Sequence, residues 1–208
     1  MTLYERLISL DDLQRVDLML VMAGRMERKQ YGLDLFRAGL APRLVLSVGR
    51  FEVSKMRWLD LPGFQDLVQL RDRTPPDERH FFMSFDSFGV RIQKAKLARW
   101  NTYGEALAFR KLISQEQART VMVISTDVHL RRVALTFRRV CRDMPVQFVH
   151  CPVPSELSSV TKHSWWTRSR DRRFVLKEAV KLIGYKVILL MPDWVVHRLM
   201  PLKTDLAG

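Results

Sequence analysis

Four short apolar runs, each about six residues long, alternate with longer stretches of helical periodicity. Nothing else in the chain constrains the fold as strongly. The runs lie at 16–22, 43–48, 120–125 and 146–151. Each is apolar at successive positions, as expected of strands buried on both faces. Helical patterns follow at 27–38, 103–117, 129–142 and 174–184, and Gly39 and Gly184 stand where two of them would stop. Residues 53–60 and 63–71 also read as helical, separated by Pro62. In residues 80–97, two apolar runs flank Asp86-Ser-Phe-Gly89 and predict a hairpin.

Strands joined through helices run parallel, and such crossovers are right-handed almost without exception. The expected fold class is therefore α/β, a three-layer Rossmann-like sandwich with a mainly parallel central sheet of about five strands. No internal repeat or low-complexity linker divides the 208 residues, so residues 1–184 read as one domain. Residues 185–208 form an apolar C-terminal extension, either core or a segment lying on a membrane. Lys186, Pro192, Asp193 and Arg198 interrupt it, which leaves no run long enough to span a bilayer.

Charge narrows the partners. Lys and Arg number 35 against 22 Asp and Glu, a formal net charge of +13. That excess calls for an anionic partner: a phosphorylated ligand, an anionic membrane surface or nucleic acid. The charge alone motivates the nucleic-acid reading, and no recognised nucleic-acid motif accompanies it. Two cysteines, Cys141 and Cys151, make neither a disulfide framework nor a zinc site. The N-terminal residues, with Glu5, Asp11 and Asp12 among the apolar ones, do not read as a signal peptide. The expected location is cytoplasmic, or peripheral on the inner face of the plasma membrane. Residues 162–173, with five basic residues against Asp171 and with Trp165 and Trp166, suit such a surface, as do residues 185–200.

In open α/β sheets, ligands bind beyond the carboxyl ends of the strands. The residues there share a chemistry. Gly24 and Gly49 let the backbone turn and approach a ligand. Ser47, Asn101, Thr102, Ser125 and Thr126 offer hydrogen bonds, with Asn101 or Thr102 also available as a helix cap. Arg28, Arg50, His129 and Arg132 offer positive charge, and Glu105 is the acidic member. Helix N-termini expected near 27, 103 and 129 aim amide groups at the same crevice. This pattern suits a phosphate or pyrophosphate. The GxGxxG and GxxxxGKS/T fingerprints, the GxSxG elbow and HExxH are absent, and no metal-binding motif is evident.

The blocks Asn101-Thr-Tyr-Gly-Glu-Ala106 and Val123-Ile-Ser-Thr-Asp-Val-His-Leu-Arg-Arg-Val133, with Gly24, Arg28 and the Ser47-Val-Gly49 turn, resemble the YdcF-like family, the group that includes SanA and ElyC. The likeness runs over about residues 15–183. Val48 and Arg50 depart from the family's pattern around the second strand, and Ala106 departs from it in the middle block. Residues 75–89 look like an insertion relative to that family. The resemblance implies cell-envelope work on peptidoglycan, lipid-carrier or polysaccharide precursors. It also leaves S-adenosylmethionine or a divalent metal open as cofactor. The expected function is thus to act on or bind a phosphorylated envelope or polysaccharide precursor, lipid-linked or free. Arg50, His129 and Arg132 would hold phosphate oxygens, Glu105 would serve as general base, orient water or bind a metal if one is used, and Glu105 and His129 are the candidate catalytic residues. The alternative is a soluble S-adenosylmethionine- or nucleotide-binding module without catalysis. Arg132→Ala and His129→Ala are expected to leave folding nearly intact, because both residues are placed at a crevice rim.

Overall fold

The structure is a computed structural model and describes residues 13–95, 97, 101–160, 164–199 and 206–207. In chain order the elements are β1 (Leu18–Val21), α1 (Met26–Arg37), β2 (Leu44–Val48), a 3-10 segment (Val53–Leu59), α2 (Phe64–Arg73), a short 3-10 turn (Pro76–Glu78), β3 (Phe81–Asp86) and β4 (Gly89–Ala95). They continue with α3 (Asn101–Glu116), β5 (Thr120–Thr126), α4 (Asp127–Val140), β6 (Gln147–Val153), α5 (Ser169–Leu189), α6 (Asp193–Leu199) and β7 (Leu206–Ala207).

One sheet holds all the strands in the order β6-β5-β1-β2-β3-β4-β7. Its first four are mutually parallel, with Leu18 opposite Val121 and Met19 opposite Leu44. From β2 onward the pairing is antiparallel. The sheet is thus wider than the expected five strands. Residues 81–86, inside the stretch that the resemblance marks as an insertion, pair along the whole of β2. A two-residue loop, Ser87-Phe88, turns β3 into β4, and the Asp86 carboxylate accepts the Phe88 amide at 2.8 Å.

β1, β2 and β5 are buried on both faces, which is why they read as continuous apolar runs, while β6, at the edge of the sheet, buries alternate residues. Met19, Val21, Leu44, Leu46 and Met83 pack on the α1 and α2 side. Leu18, Leu20, Val45, Val121 and Val123 pack on the side that carries α3, α4 and α5. On that second side an aromatic row, Phe82, Phe109, Phe137 and Phe148, passes from β3 through two helices to β6. The sheet's helix layers give the three-layer sandwich expected from the sequence.

Two local features fix the central strands. The Asp17 carboxylate accepts the amides of Arg119 and Thr120 at 2.9 and 2.8 Å, clamping the entrance of β1 to that of β5. Gly32 lets α1 lie close on β1: a Cβ there would stand 2.4 Å from Val21 Cγ2. Val21 is fully buried and β-branched, so its side chain has little freedom to rotate away. Gly32→Ala is expected to cost about 1–2 kcal/mol, overpacking outweighing the roughly 1 kcal/mol gained in helix propensity. Urea melts measure this, and a stabilised variant would show that the helix can shift.

α5 extends well beyond the predicted 174–184 at both ends. Gly184 lies in its interior, and Tyr185, Leu189 and the α6 residue Val196 are buried in the core. Among the described residues, no helix is long and apolar enough to cross a membrane.

Candidate functional site

β1 leads through α1 to β2 on one side, while β5 lies on its other side. The chain order reverses between β1 and β5, and in open α/β sheets ligands bind beyond the carboxyl ends of the strands at such a point. α1 and α4 both begin there, at Met26 and Asp127, and α3 begins at Asn101. These starts lie one or two residues earlier than the sequence periodicity suggests. Asn101 and Thr102 are consequently helical residues rather than caps, and the Asn101 side chain lies outside the described residues.

Around this point the structure gathers a buried polar network with two lobes. In the first, Glu105 is 2% exposed. Its Oε1 accepts the Ala23 amide at 2.9 Å and the Ser47 hydroxyl at 2.6 Å. His80 Nε2 lies 2.7 Å from the same Ser47 oxygen. With Glu105 ionised, Ser47 spends its one hydrogen on the carboxylate and His80 donates to Ser47, so the order is His80 to Ser47 to Glu105. Burial pushes the Glu105 carboxyl above its ordinary range, against the hydrogen bonds from Ser47 and Ala23 that favour the ionised form. Burial, helped by Lys29, pulls His80 down to about 3, so this histidine is neutral at physiological pH. The result is a carboxyl held ready to carry or release a proton, joined through a hydroxyl to a neutral imidazole.

In the second lobe, the His129 ring lies between Ser125 and Thr102. Nδ1 stands 2.7 Å from Ser125 Oγ, and Nε2 stands 3.3 Å from Thr102 Oγ1. Arg132 donates to Thr102 Oγ1, and its Nε and Nη2 reach Glu178 Oε2 at 3.2 and 2.8 Å. Lys181 holds the other Glu178 oxygen at 2.9 Å, and the Arg132 guanidinium lies 5.0 Å over the Tyr185 ring. Burial, then Arg132 and Arg28, push His129 well below the usual histidine range. His129 and Arg132 are each 6% exposed. Their expected place at a crevice rim is therefore corrected: both are interior, and Arg132 is pinned on several sides.

Arg28 joins the lobes. Its Nη1 donates to the Ala23 carbonyl at 2.5 Å and its Nη2 to Thr126 Oγ1 at 2.8 Å. Its Nε is buried with no hydrogen-bond partner among the described residues. Burial lowers its pKa to about 10, against the pull of Glu105 and Glu52, so it remains a cation at neutral pH. Gly24, at φ 132°, supplies the turn that brings the Ala23 carbonyl to this guanidinium, and a Cβ there would lie 2.8 Å from Arg28 Nη1.

No family model matches this chain, and neither does any curated protein or solved structure. Ser47, Glu105, Arg28, Thr126, Ser125, His129, Thr102 and Arg132 come together as the strand-end argument expects. Gly24 and Gly49 line the turns above them. Arg50 does not join: it is exposed and lies 5.0 Å over the Phe51 ring. Gly49 serves a neighbour, because a Cβ there would stand 2.6 Å from Glu52 Oε1.

Sequence reasoning missed Lys29, Glu52, His80, Glu178 and Tyr185. Glu52 reaches back from the end of β2 to accept the Gly24 amide at 2.7 Å and a buried hydrogen bond from Lys29. Its place just after Gly49 was the one available signal. His80 and Glu178 carry no motif at all. Among the described residues, no three His, Cys, Asp or Glu side chains group so as to hold a metal ion.

Proposed function

We propose that the crevice between β1 and β5 acts on or binds a phosphorylated cell-envelope or polysaccharide precursor, lipid-linked or free, with the protein working at the inner face of the membrane. The Arg28 guanidinium carries this reading. It is a buried cation with an unspent Nε donor, placed where the chain order reverses and where α1 and α4 begin. Phosphate oxygens satisfy such a donor better than neutral acceptors do. Arg132 and Lys181 add positive charge behind His129, offset by Glu178. Glu105 is the group suited to move a proton at the ligand, because burial raises its affinity for one. If the reaction is a hydrolysis or transfer, fixed cations supply its main stabilisation. The resemblance to the YdcF-like family points the same way.

Glu52 supports a second reading. An acid at the end of the second strand is where a doubly wound fold takes ribose hydroxyls. A nucleotide or S-adenosylmethionine would then replace Gly24 and Lys29 as partners of its carboxylate.

One thermal-shift series tests both. The probes are inorganic pyrophosphate, polyprenyl phosphate and pyrophosphate analogues, sugar nucleotides, nucleotides and S-adenosylmethionine. A probe at about 100 times its dissociation constant stabilises by roughly 2.7 kcal/mol. The expected result is a rise in melting temperature with a phosphorylated precursor analogue, lost in Arg28→Met and partly kept in Arg28→Lys. A shift confined to S-adenosylmethionine or a nucleotide, weakened in Glu52→Gln, selects the second reading. No shift with any phosphorylated probe sinks the first.

A further inference from the structure

α5 presents two unlike stripes. Val175, Glu178, Leu182, Tyr185 and Leu189 face inward and are buried. Leu176, Val180, Ile183, Val187 and Leu190 repeat at intervals of four and three on the outward side, and all are exposed, Val180 by 70% and Leu190 by 87%. A helix on the surface of a domain ordinarily buries one apolar stripe and keeps its other face polar. Here the second stripe continues along the helix, and exposed Trp166 and Trp194 stand before and after it in the chain. An exposed contiguous apolar surface of this kind marks an interaction site.

The charges beside the stripe select the occupant. Arg172, Arg173, Lys177, Lys181 and Lys186 are exposed on α5. The helix's own acids, Asp171 and Glu178, are buried. Asp193, just beyond it, is held by Arg139 and Arg142. A second copy would bring two chains of net charge +13 together, each through an apolar stripe edged with basic residues. An anionic bilayer instead meets both features: acyl chains take the apolar stripe and headgroups take the basic edges.

We propose that the outward face of α5, lying in the plane of the interface, docks this protein on an anionic membrane surface. The inference rests on the peripheral-membrane part of the reading above and gives it a place, in the middle of α5 rather than in residues 162–173 or the tail alone. Glu178 on the inner side of the same helix holds Arg132. Docking would thus bring the site to within about one helix diameter, roughly 10 Å, of the headgroups, where a lipid-linked phosphate resides.

The test is co-sedimentation of the full chain with phosphatidylcholine vesicles, with and without phosphatidylglycerol. Binding is expected with the anionic lipid alone. Lys177→Gln with Lys186→Gln is expected to weaken it roughly 30-fold, about fivefold for each charge. Val180→Asp with Ile183→Asp is expected to weaken it at least about tenfold. All four positions are exposed, and unchanged thermal melts establish that the variants fold. If the wild type binds and both double variants bind equally well, the anchor lies elsewhere and the inference fails while the peripheral reading stands. If the wild type ignores anionic vesicles, both fail. If light scattering shows a dimer that Ile183→Asp converts to monomer, and vesicles are not bound, the stripe is a self-association surface and the inference is overturned.

Discussion

Glu178→Ala is expected to cost about 3–5 kcal/mol, the loss seen when one partner of a buried ion pair is removed. Arg132 sends two donors to Glu178 Oε2, and the side chains of the pair are 7% and 5% exposed. Without the carboxylate, a buried guanidinium remains beside His129 with no counter-charge, while Lys181 loses a surface partner. Burial by itself raises the Glu178 pKa, yet Arg132 and Lys181 hold it below the ordinary glutamate value. The native state therefore favours the ionised form, and its contribution is lost as pH falls through the folded pKa. Glu178→Gln keeps an acceptor for Arg132 and is expected to lose less. Glu178→Ala combined with Arg132→Met is expected to lose less than the sum of the two single changes, because neither charge is then stranded. Urea denaturation of the four variants gives the comparison. A loss under about 1 kcal/mol for Glu178→Ala would mean that water reaches Arg132 and that the pair is not buried in solution.

The second large effect is acid destabilisation. His80 is held at about 3 and His129 well below its ordinary value, both chiefly by burial. Unfolded histidines titrate near 6.5, so below that pH the unfolded chain binds two protons that the folded chain refuses. A depressed folded pKa gives stability that is complete above the unfolded pKa and lost as pH falls. Each histidine contributes a slope approaching about 1.4 kcal/mol per pH unit. Between pH 7 and 5 His80 alone removes roughly 2 kcal/mol, and His129 acts in the same direction. Glu105 acts in the opposite sense. Its folded pKa is raised, so between its unfolded and folded values the native state holds the extra proton and gains on acidification. The expected result is a steep fall in stability below about pH 6.5, reduced by Glu105 near its own titration. In His80→Gln the slope is expected to be clearly less steep, whatever the variant's stability at pH 7. Urea melts from pH 8 to 5 measure this, and a flat profile would mean that the histidines are protonated in the folded protein.

The fold was legible because β1, β2 and β5 sit between helix layers, and two-sided burial leaves an apolar run that no surface strand would show. Two features were not legible. The hairpin of β3 and β4 was visible as a hairpin, yet nothing in its residues says that it pairs with β2 and so widens the sheet. The end of α5 was hidden by Gly184, which reads as a stop. In the structure a Cβ there would meet nothing within 4 Å, so the helix runs on because its neighbours Leu182, Tyr185 and Leu189 bury the inner face.

For the site, position at strand ends was enough to collect Arg28, Ser47, Glu105, Ser125, Thr126, His129 and Arg132. It could not separate Arg50, which has the same address but turns outward onto Phe51. Lys29, Glu52, His80 and Glu178 were out of reach because each acts as a single residue through a partner distant in the chain. A lone buried acid or base leaves no periodic trace.

The order in which the strands are laid down has a consequence for how divisible this protein is. Ala23 meets Glu105 across 82 positions, Arg28 meets Thr126 across 98, and Arg132 meets Glu178 across 46. The hairpin is the sheet's most local pairing, whereas β1 waits for β5 across more than half of the site's span. Any fragment that keeps the network must run unbroken from Ala23 to Glu178. The site cannot be lifted out as a loop, a peptide or a half-sheet and grafted elsewhere, nor can a nascent chain possess it before α5 has been made.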